Sequence, residues 1–156
     1  MNWKKLQNGS DIRGVALEGI EGENVNLTEE VIMTIGKSFV CWLRKTMGVE
    51  NPTIAVGMDC RLSGNAIKGA FIKGAAEAGA NVVACGLAST PAMFMTTISD
   101  TVKATASVMV TASHLPFNRN GLKFFTPKGG LDSKDIAAIL EIAENGEYAY
   151  DGAKGN

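Results

Sequence analysis

The chain has 156 residues, of which 46% are apolar, and a formal net charge of −1. That length suits one domain with a real core, since chains of this size hide roughly 70% of their unfolded surface. The near-neutral charge gives no electrostatic reason to expect nucleic acid or an anionic membrane as a partner. No run approaches the ~18 apolar residues of a membrane span, and Met1-Asn2-Trp3-Lys4-Lys5 has no apolar stretch behind it. Neither a span nor a signal peptide is therefore predicted. Cys41, Cys60 and Cys85 are widely spaced and odd in number, and His114 is the single histidine. This pattern argues against a zinc site or a disulfide framework and points to a cytoplasmic protein with reduced thiols.

Ser10-Asp11-Ile12-Arg13-Gly14 reads as an N-terminal loop, in which Arg13 is either a solvated charge or an anion contact. Val31, Ile32, Ile35, Phe39, Trp42 and Leu43 recur at helical spacing. Asn26 or Thr28 can cap this helix, Glu29 and Glu30 suit its first turn, and Gly48 can end it. Gly36-Lys37-Ser38 inside it looks like the end of a Walker A loop but lacks the earlier glycine, since Val31 stands there. Thr53 to Val56 is a short apolar run that reads as a buried strand.

Ser63 can cap a second helix through Ile67, Ala70, Phe71, Ala75 and Ala78, ended by Gly79. Asn81 to Cys85 is the next strand, and Thr90-Pro91 opens a third helix with proline where no hydrogen-bond partner exists. Ala106 to Val110 and Leu122 to Phe125 read as strands, and Ser133 begins a last helix that ends at Gly146. Helices alternating with short apolar strands make the class α/β. Asn120-Gly121 is a tight-turn signal, which would lay the strand at Leu122 beside the strand ending at Val110 and make the sheet mixed. Residues 1–150 are expected to form the domain, and the tail 151–156 a linker or a frayed end.

Chemistry concentrates in two places. Gly57-Met58-Asp59-Cys60-Arg61-Leu62-Ser63 follows a strand, at the sheet edge where ligands gather in α/β folds. Arg61 there either clamps an anion through its planar fork or pairs with Asp59. Thr111-Ala-Ser-His-Leu-Pro-Phe-Asn-Arg-Asn-Gly-Leu-Lys-Phe-Phe125 is the second place. Ser113 follows a strand, and a hairpin would bring Lys123 back toward it. A hydroxyl, the His114 imidazole and an ammonium around one spot suit phosphate, whose transfer is mostly positioning and charge stabilisation. The plain alternative is a surface hairpin with a satisfied histidine. A serine hydrolase built on Ser113 and His114 lacks the GxSxG elbow.

The stretch at Thr111–Phe125 resembles the active-serine loop of the α-D-phosphohexomutases, the phosphoglucomutase/phosphomannomutase family, with its Thr-Ala-Ser-His-Asn-Pro, a spacer and Asn-Gly-x-Lys. "DIRG" at Asp11–Gly14, "GMDCRLSG" at Gly57–Gly64 and "STPAMF" at Ser89–Phe94 fit the same family in order. Leu115 replaces the usual Asn, and Met58 a common Arg. The resemblance implies a three-layer α/β/α fold with a small mixed sheet, and a mutase that shifts phosphate between the 1- and 6-positions of a hexose through a bisphosphorylated sugar.

By the same resemblance Ser113 carries the phosphate, Lys123 acts as general acid/base or charge stabiliser, and His114 assists. Arg13 contacts phosphate or sugar, and Arg61 binds phosphate or supports the loop. Mg²⁺ would meet this chain only through the phosphate on Ser113. Its other ligands and the sugar-reading loop belong to further domains, whose motifs Asp-Gly-Asp-x-Asp-Arg and Gly-Glu-x-Ser-Gly-His do not occur here. The chain thus resembles the first domain alone, expected to turn over little substrate by itself. Hexose phosphates and the remaining domains of one polypeptide are the implied partners. The Thr-Ala-Ser-His opening leans toward the glucose/mannose branch over the glucosamine one. A non-catalytic anion-binding or docking module on this scaffold is the alternative.

Overall fold

Seven strands and four α-helices succeed one another in the computed structural model, which describes residues 1–156. After a 3₁₀ turn at Trp3–Leu6 come β1 (Gln7–Asn8), β2 (Asp11–Val15), α1 (Glu29–Met47), β3 (Thr53–Met58) and α2 (Gly64–Glu77). There follow β4 (Asn81–Leu87), α3 (Thr90–Ile98), β5 (Ala106–Val110), β6 (Arg119–Thr126), β7 (Gly129–Gly130) and α4 (Ser133–Asn145).

The helix ends follow local chemistry. Thr28 Oγ1 accepts from the Val31 N–H, and Gly48 closes α1 in the left-handed conformation at φ 66°. Ser89 caps α3, Asp132 and Asp135 form a capping box at α4, and Gly146 closes that helix. Ser63 precedes α2 but makes no cap bond; its hydroxyl accepts from buried Asn120 instead.

The sheet runs β1-β2-β6-β5-β3-β4, with β7 on β6. β3 pairs parallel with β4 and β5, while β6 pairs antiparallel with β5 and β2, so the sheet is mixed as expected. One face carries α1, α2 and α4 over a single apolar cluster that includes Phe39, Phe71, Phe124, Ile54 and Val108. The other face carries only α3, over Ala55, Met93, Ala104, Met109 and Phe125. The result is the three-layer α/β/α arrangement. In place of a phosphate loop, Gly36 supplies a helix crossing: a Cβ there would lie 2.7 Å from the Phe71 carbonyl of α2. No helix is long and apolar enough to cross a membrane.

Two readings are corrected. Asp11–Gly14 is a strand, β2, not a loop; Asp11 and Arg13 project to one face while Ile12 is fully buried on the other. Asn120 and Gly121 lie inside β6, not at a turn. Asn120 is fully buried, donating to Ser63 Oγ at 2.8 Å and accepting from the Gly121 N–H at 2.9 Å. Gly121 is needed for close approach, because a Cβ would collide with the Ile12 carbonyl and come 2.8 Å from Arg13 Cγ. The chain reverses earlier, over Ser113–Asn118. At the tail, the Val82 N–H donates to the Asn156 carbonyl at 2.7 Å and the Gly155 N–H to the Ala76 carbonyl at 2.9 Å.

Candidate active site

The carboxyl ends of β2, β3, β4 and β5 and the start of β6 share one edge of the sheet, as the strand registers require. The segments Ala16–Thr28, Asp59–Ser63 and Thr111–Asn118 meet there. Ser113 and His114 are exposed at this edge, and neither side chain makes a hydrogen bond within the protein. Ser113 has φ 55°; Lys103 is the only other non-glycine residue with positive φ. Such a conformation costs on the order of 1–3 kcal/mol and persists only where neighbours enforce it.

The neighbours are identifiable. Arg61 Nη2 donates to the carbonyls of Ser113 (2.7 Å) and Leu115 (2.8 Å), and Nη1 to those of Pro116 (2.9 Å) and Arg119 (3.0 Å). All four Nη hydrogens are thereby committed to main chain, which leaves none of them for a phosphate. The Asp59 carboxylate lies 3.5 Å from Arg61 Nε. Thr111 Oγ1 donates to Asp59 Oδ2 at 2.6 Å and accepts from the Ser113 N–H at 3.0 Å.

A second strap comes from the preceding segment. Glu23 accepts from Asn118 Nδ2 at 2.7 Å and from Arg119 Nε at 3.0 Å, with Arg119 Nη2 3.0 Å from its other oxygen. These bonds, Arg119's first, hold the Glu23 carboxyl below the ordinary glutamate value.

Arg13 and Lys123 project from the same face as Asp11, because Arg13 sits opposite Gly121 and Asp11 opposite Lys123. Asp11 is 5% exposed. It accepts from Lys123 Nζ at 2.7 Å and from Arg13 Nη2 at 2.9 Å. One carboxylate against two cations leaves this row with a net positive charge. Arg13 Nε is buried without a hydrogen-bond partner. No hydrogen bond joins Lys123 to Ser113. Ser113, His114, Arg13 and Lys123 line none of the cavities of the fold; Ser113 and His114 are exposed, while Arg13 and Lys123 are half-buried. No cluster of three or more His, Cys, Asp or Glu side chains is placed to hold a metal ion.

Sequence reasoning singled out Ser113, His114, Lys123, Arg13 and Arg61, and missed Asp11, Thr111 and Glu23 as parts of the site. Asp11 had a signal, its two-residue spacing from Arg13, which puts both on one face of a strand. Glu23 had none, because its partners lie 95 and 96 residues away.

Known proteins share this architecture. The family described as "Phosphoglucomutase/phosphomannomutase, alpha/beta/alpha domain I" matches residues 4–149. Phosphoglucosamine mutase of Halalkalibacterium halodurans is 38% identical over 138 residues, covering 85% of this chain and 28% of that protein. Phosphoglucomutase/phosphomannomutase of Thermococcus kodakarensis is 35% identical over 137 residues, covering 88% of this chain and 28% of that one. The crystal structure of a phosphoglucomutase/phosphomannomutase family protein from Burkholderia thailandensis superposes with a TM-score of 0.77 at 25% identity, over 95% of this chain and 31% of that chain. The chain therefore spans under a third of the length of these relatives, and it belongs to the phosphoglucomutase/phosphomannomutase family as an α/β/α domain I.

Proposed function

We propose that residues 1–150 are the phosphoserine-bearing domain of a hexose-phosphate mutase, joined through 151–156 to further domains of one cytoplasmic polypeptide. The observation that carries this is Ser113: an exposed, uncommitted hydroxyl on a backbone held at φ 55° by its neighbours, on the loop that leaves β5, the strand whose Met109 lies opposite Lys123 of the positively charged Arg13–Lys123 row. A phosphoserine brings nearly two negative charges, which that row offsets.

In the transfer, the bond from phosphorus to Ser113 Oγ breaks as a bond from phosphorus to a sugar hydroxyl oxygen forms. The sugar hydroxyl gives up its proton and Ser113 Oγ, released as an alkoxide, takes one up, so the transfer is proton-neutral. Lys123, with Asp11 holding it, stabilises that charge or moves that proton. His114 assists from the adjacent position, and Arg13 contacts the phosphoryl oxygens through its open N–H groups. The bisphosphorylated sugar reorients, and Ser113 Oγ takes back the other phosphoryl group. Arg61 holds the loop rather than the phosphate. This chain supplies one ligand to Mg²⁺ at most, the phosphate on Ser113, so no step is assigned to the metal. Relatives named for glucosamine and for glucose or mannose phosphates are both similar to the chain, and either sugar class is a candidate substrate. An open site admits water, in keeping with little turnover by the chain alone.

The test is intact mass with phosphosite mapping, on the chain as purified and after incubation with glucose 1,6-bisphosphate, beside Ser113→Ala. One phosphate on Ser113, absent in Ser113→Ala, is expected. No phosphate on Ser113 of the full-length protein after the same incubation overturns the reading, and a substantial mutase rate from the chain alone overturns the need for further domains.

A further inference from the structure

Both peptide groups of Ser113 are held, and both holders converge on one carboxylate. The Ser113 N–H donates to Thr111 Oγ1 at 3.0 Å, and the Ser113 carbonyl accepts from Arg61 Nη2 at 2.7 Å. Thr111 gives its own hydroxyl hydrogen to Asp59 Oδ2 at 2.6 Å. Asp59 Oδ1 accepts from the Arg61 N–H at 3.2 Å, and Asp59 Oδ2 lies 3.5 Å from Arg61 Nε. The two residues that meet are themselves anchored to the sheet. The Asp59 N–H donates to the Val110 carbonyl, and the Thr111 N–H to the Gly121 carbonyl, each at 3.1 Å.

A hydroxyl whose hydrogen is fixed on a carboxylate can offer only its lone pairs to a nearby N–H. Asp59 therefore decides which way Thr111 is used, and Thr111 then draws the Ser113 amide inward. The Ser113 side chain, free of any bond, is left pointing off the loop.

We infer that Thr111 and Asp59 are positioning residues, a clamp that sets Ser113 in its left-handed conformation and so fixes where its oxygen meets a phosphoryl donor. This rests on the mutase reading for its purpose, but the conformation can be measured without any substrate. Serine gains nothing intrinsic from positive φ, so the clamp is what selects it. Thr111→Val keeps the shape and β-branching of the side chain and removes both bonds; Thr111→Ser keeps the hydroxyl.

The experiment is solution NMR of the chain, reading the HN–Hα coupling and amide exchange of Ser113. In Thr111→Val the coupling is expected to leave its left-handed value, with amide exchange at Ser113 faster by about 10-fold or more. Thr111→Ser is expected to restore both, and Asp59→Ala to change them in the same direction as Thr111→Val. A Ser113 coupling in Thr111→Val equal to that of the unaltered chain overturns the inference, as does failure of Thr111→Ser to restore it. Should Thr111→Val not fold, Asp59→Ala decides: an unchanged coupling there overturns the clamp.

Phosphate incorporation from glucose 1,6-bisphosphate is read on the same samples. Its maximal rate is expected to fall in Thr111→Val while the donor concentration for half-maximal rate stays unchanged. A changed coupling in Thr111→Val, with a full-length protein that never accepts phosphate on Ser113, would keep the clamp and sink the mutase reading. Normal incorporation with an unaltered coupling in Thr111→Val would do the reverse.

Discussion

The two faces of the sheet are built differently. One is covered by α1, α2 and α4 and joined by a cluster of 27 buried apolar residues; the other has α3 and a cluster of five. On the thick face, Phe39 and Phe124 rings pack 4.7 Å apart and are fully buried. On the thin face, Asp11, Arg13 and Lys123 occupy strand positions that a second helix on that face would otherwise cover. Charged side chains can sit on this sheet because the opposite face supplies most of the apolar burial. Apolar burial and charge are thus divided between faces, and the loops at the carboxyl edge are tied by polar bonds.

The division is broken most directly at its apolar end. Phe124→Ala is expected to lower the unfolding free energy by about 3–5 kcal/mol in a denaturant titration, while leaving the Ser113 loop's amide exchange unchanged relative to global unfolding. A cost under about 1 kcal/mol would mean that the thick face does not carry the fold. Arg61→Ala tests the polar end. Four carbonyls lose a partner but stay near solvent, so a loss of about 1–2 kcal/mol is expected, with faster exchange confined to Ser113–Arg119. Arg61→Lys should rescue little, since one ammonium cannot reproduce the four-bond fork; full rescue would show that charge alone matters.

The smallest effect is expected at Glu23. Its folded carboxyl value is lowered by Arg119 and Asn118, so its hold on the loop is complete above the ordinary glutamate range and is lost as pH falls through the lowered value. Amide exchange at Asn118 and Arg119, corrected for intrinsic rates, should therefore rise on acidification and be pH-independent in Glu23→Gln. An equal rise in both would remove Glu23 from the loop's support.

Much of this could be read along the chain. The helix ends at Thr28, Gly48, Thr90 and Gly146 depend on residues within one turn of themselves, which is why spacing and cap chemistry located them. The alternation of apolar runs specified an α/β class, and the order of short motifs pointed to the family that the comparisons support. Asn120-Gly121 misled, because a dipeptide that tolerates a turn also suits a strand interior when a buried amide finds Ser63 and a neighbouring backbone needs the space. β2 was missed for a related reason: two charged residues in five look like a loop until Lys123 is known to lie opposite Asp11.

By itself, then, the sequence determined the helices, the apolar strands, the fold class and the presence of a serine with cations nearby in the motif, because those depend on local propensity and side-chain type. The tertiary structure alone decided that Arg61 spends its fork on carbonyls, that one carboxylate holds both Arg13 and Lys123, and that Ser113 adopts a left-handed backbone. Those depend on partners 52 and 112 residues apart in sequence, brought together only when the strands take their register.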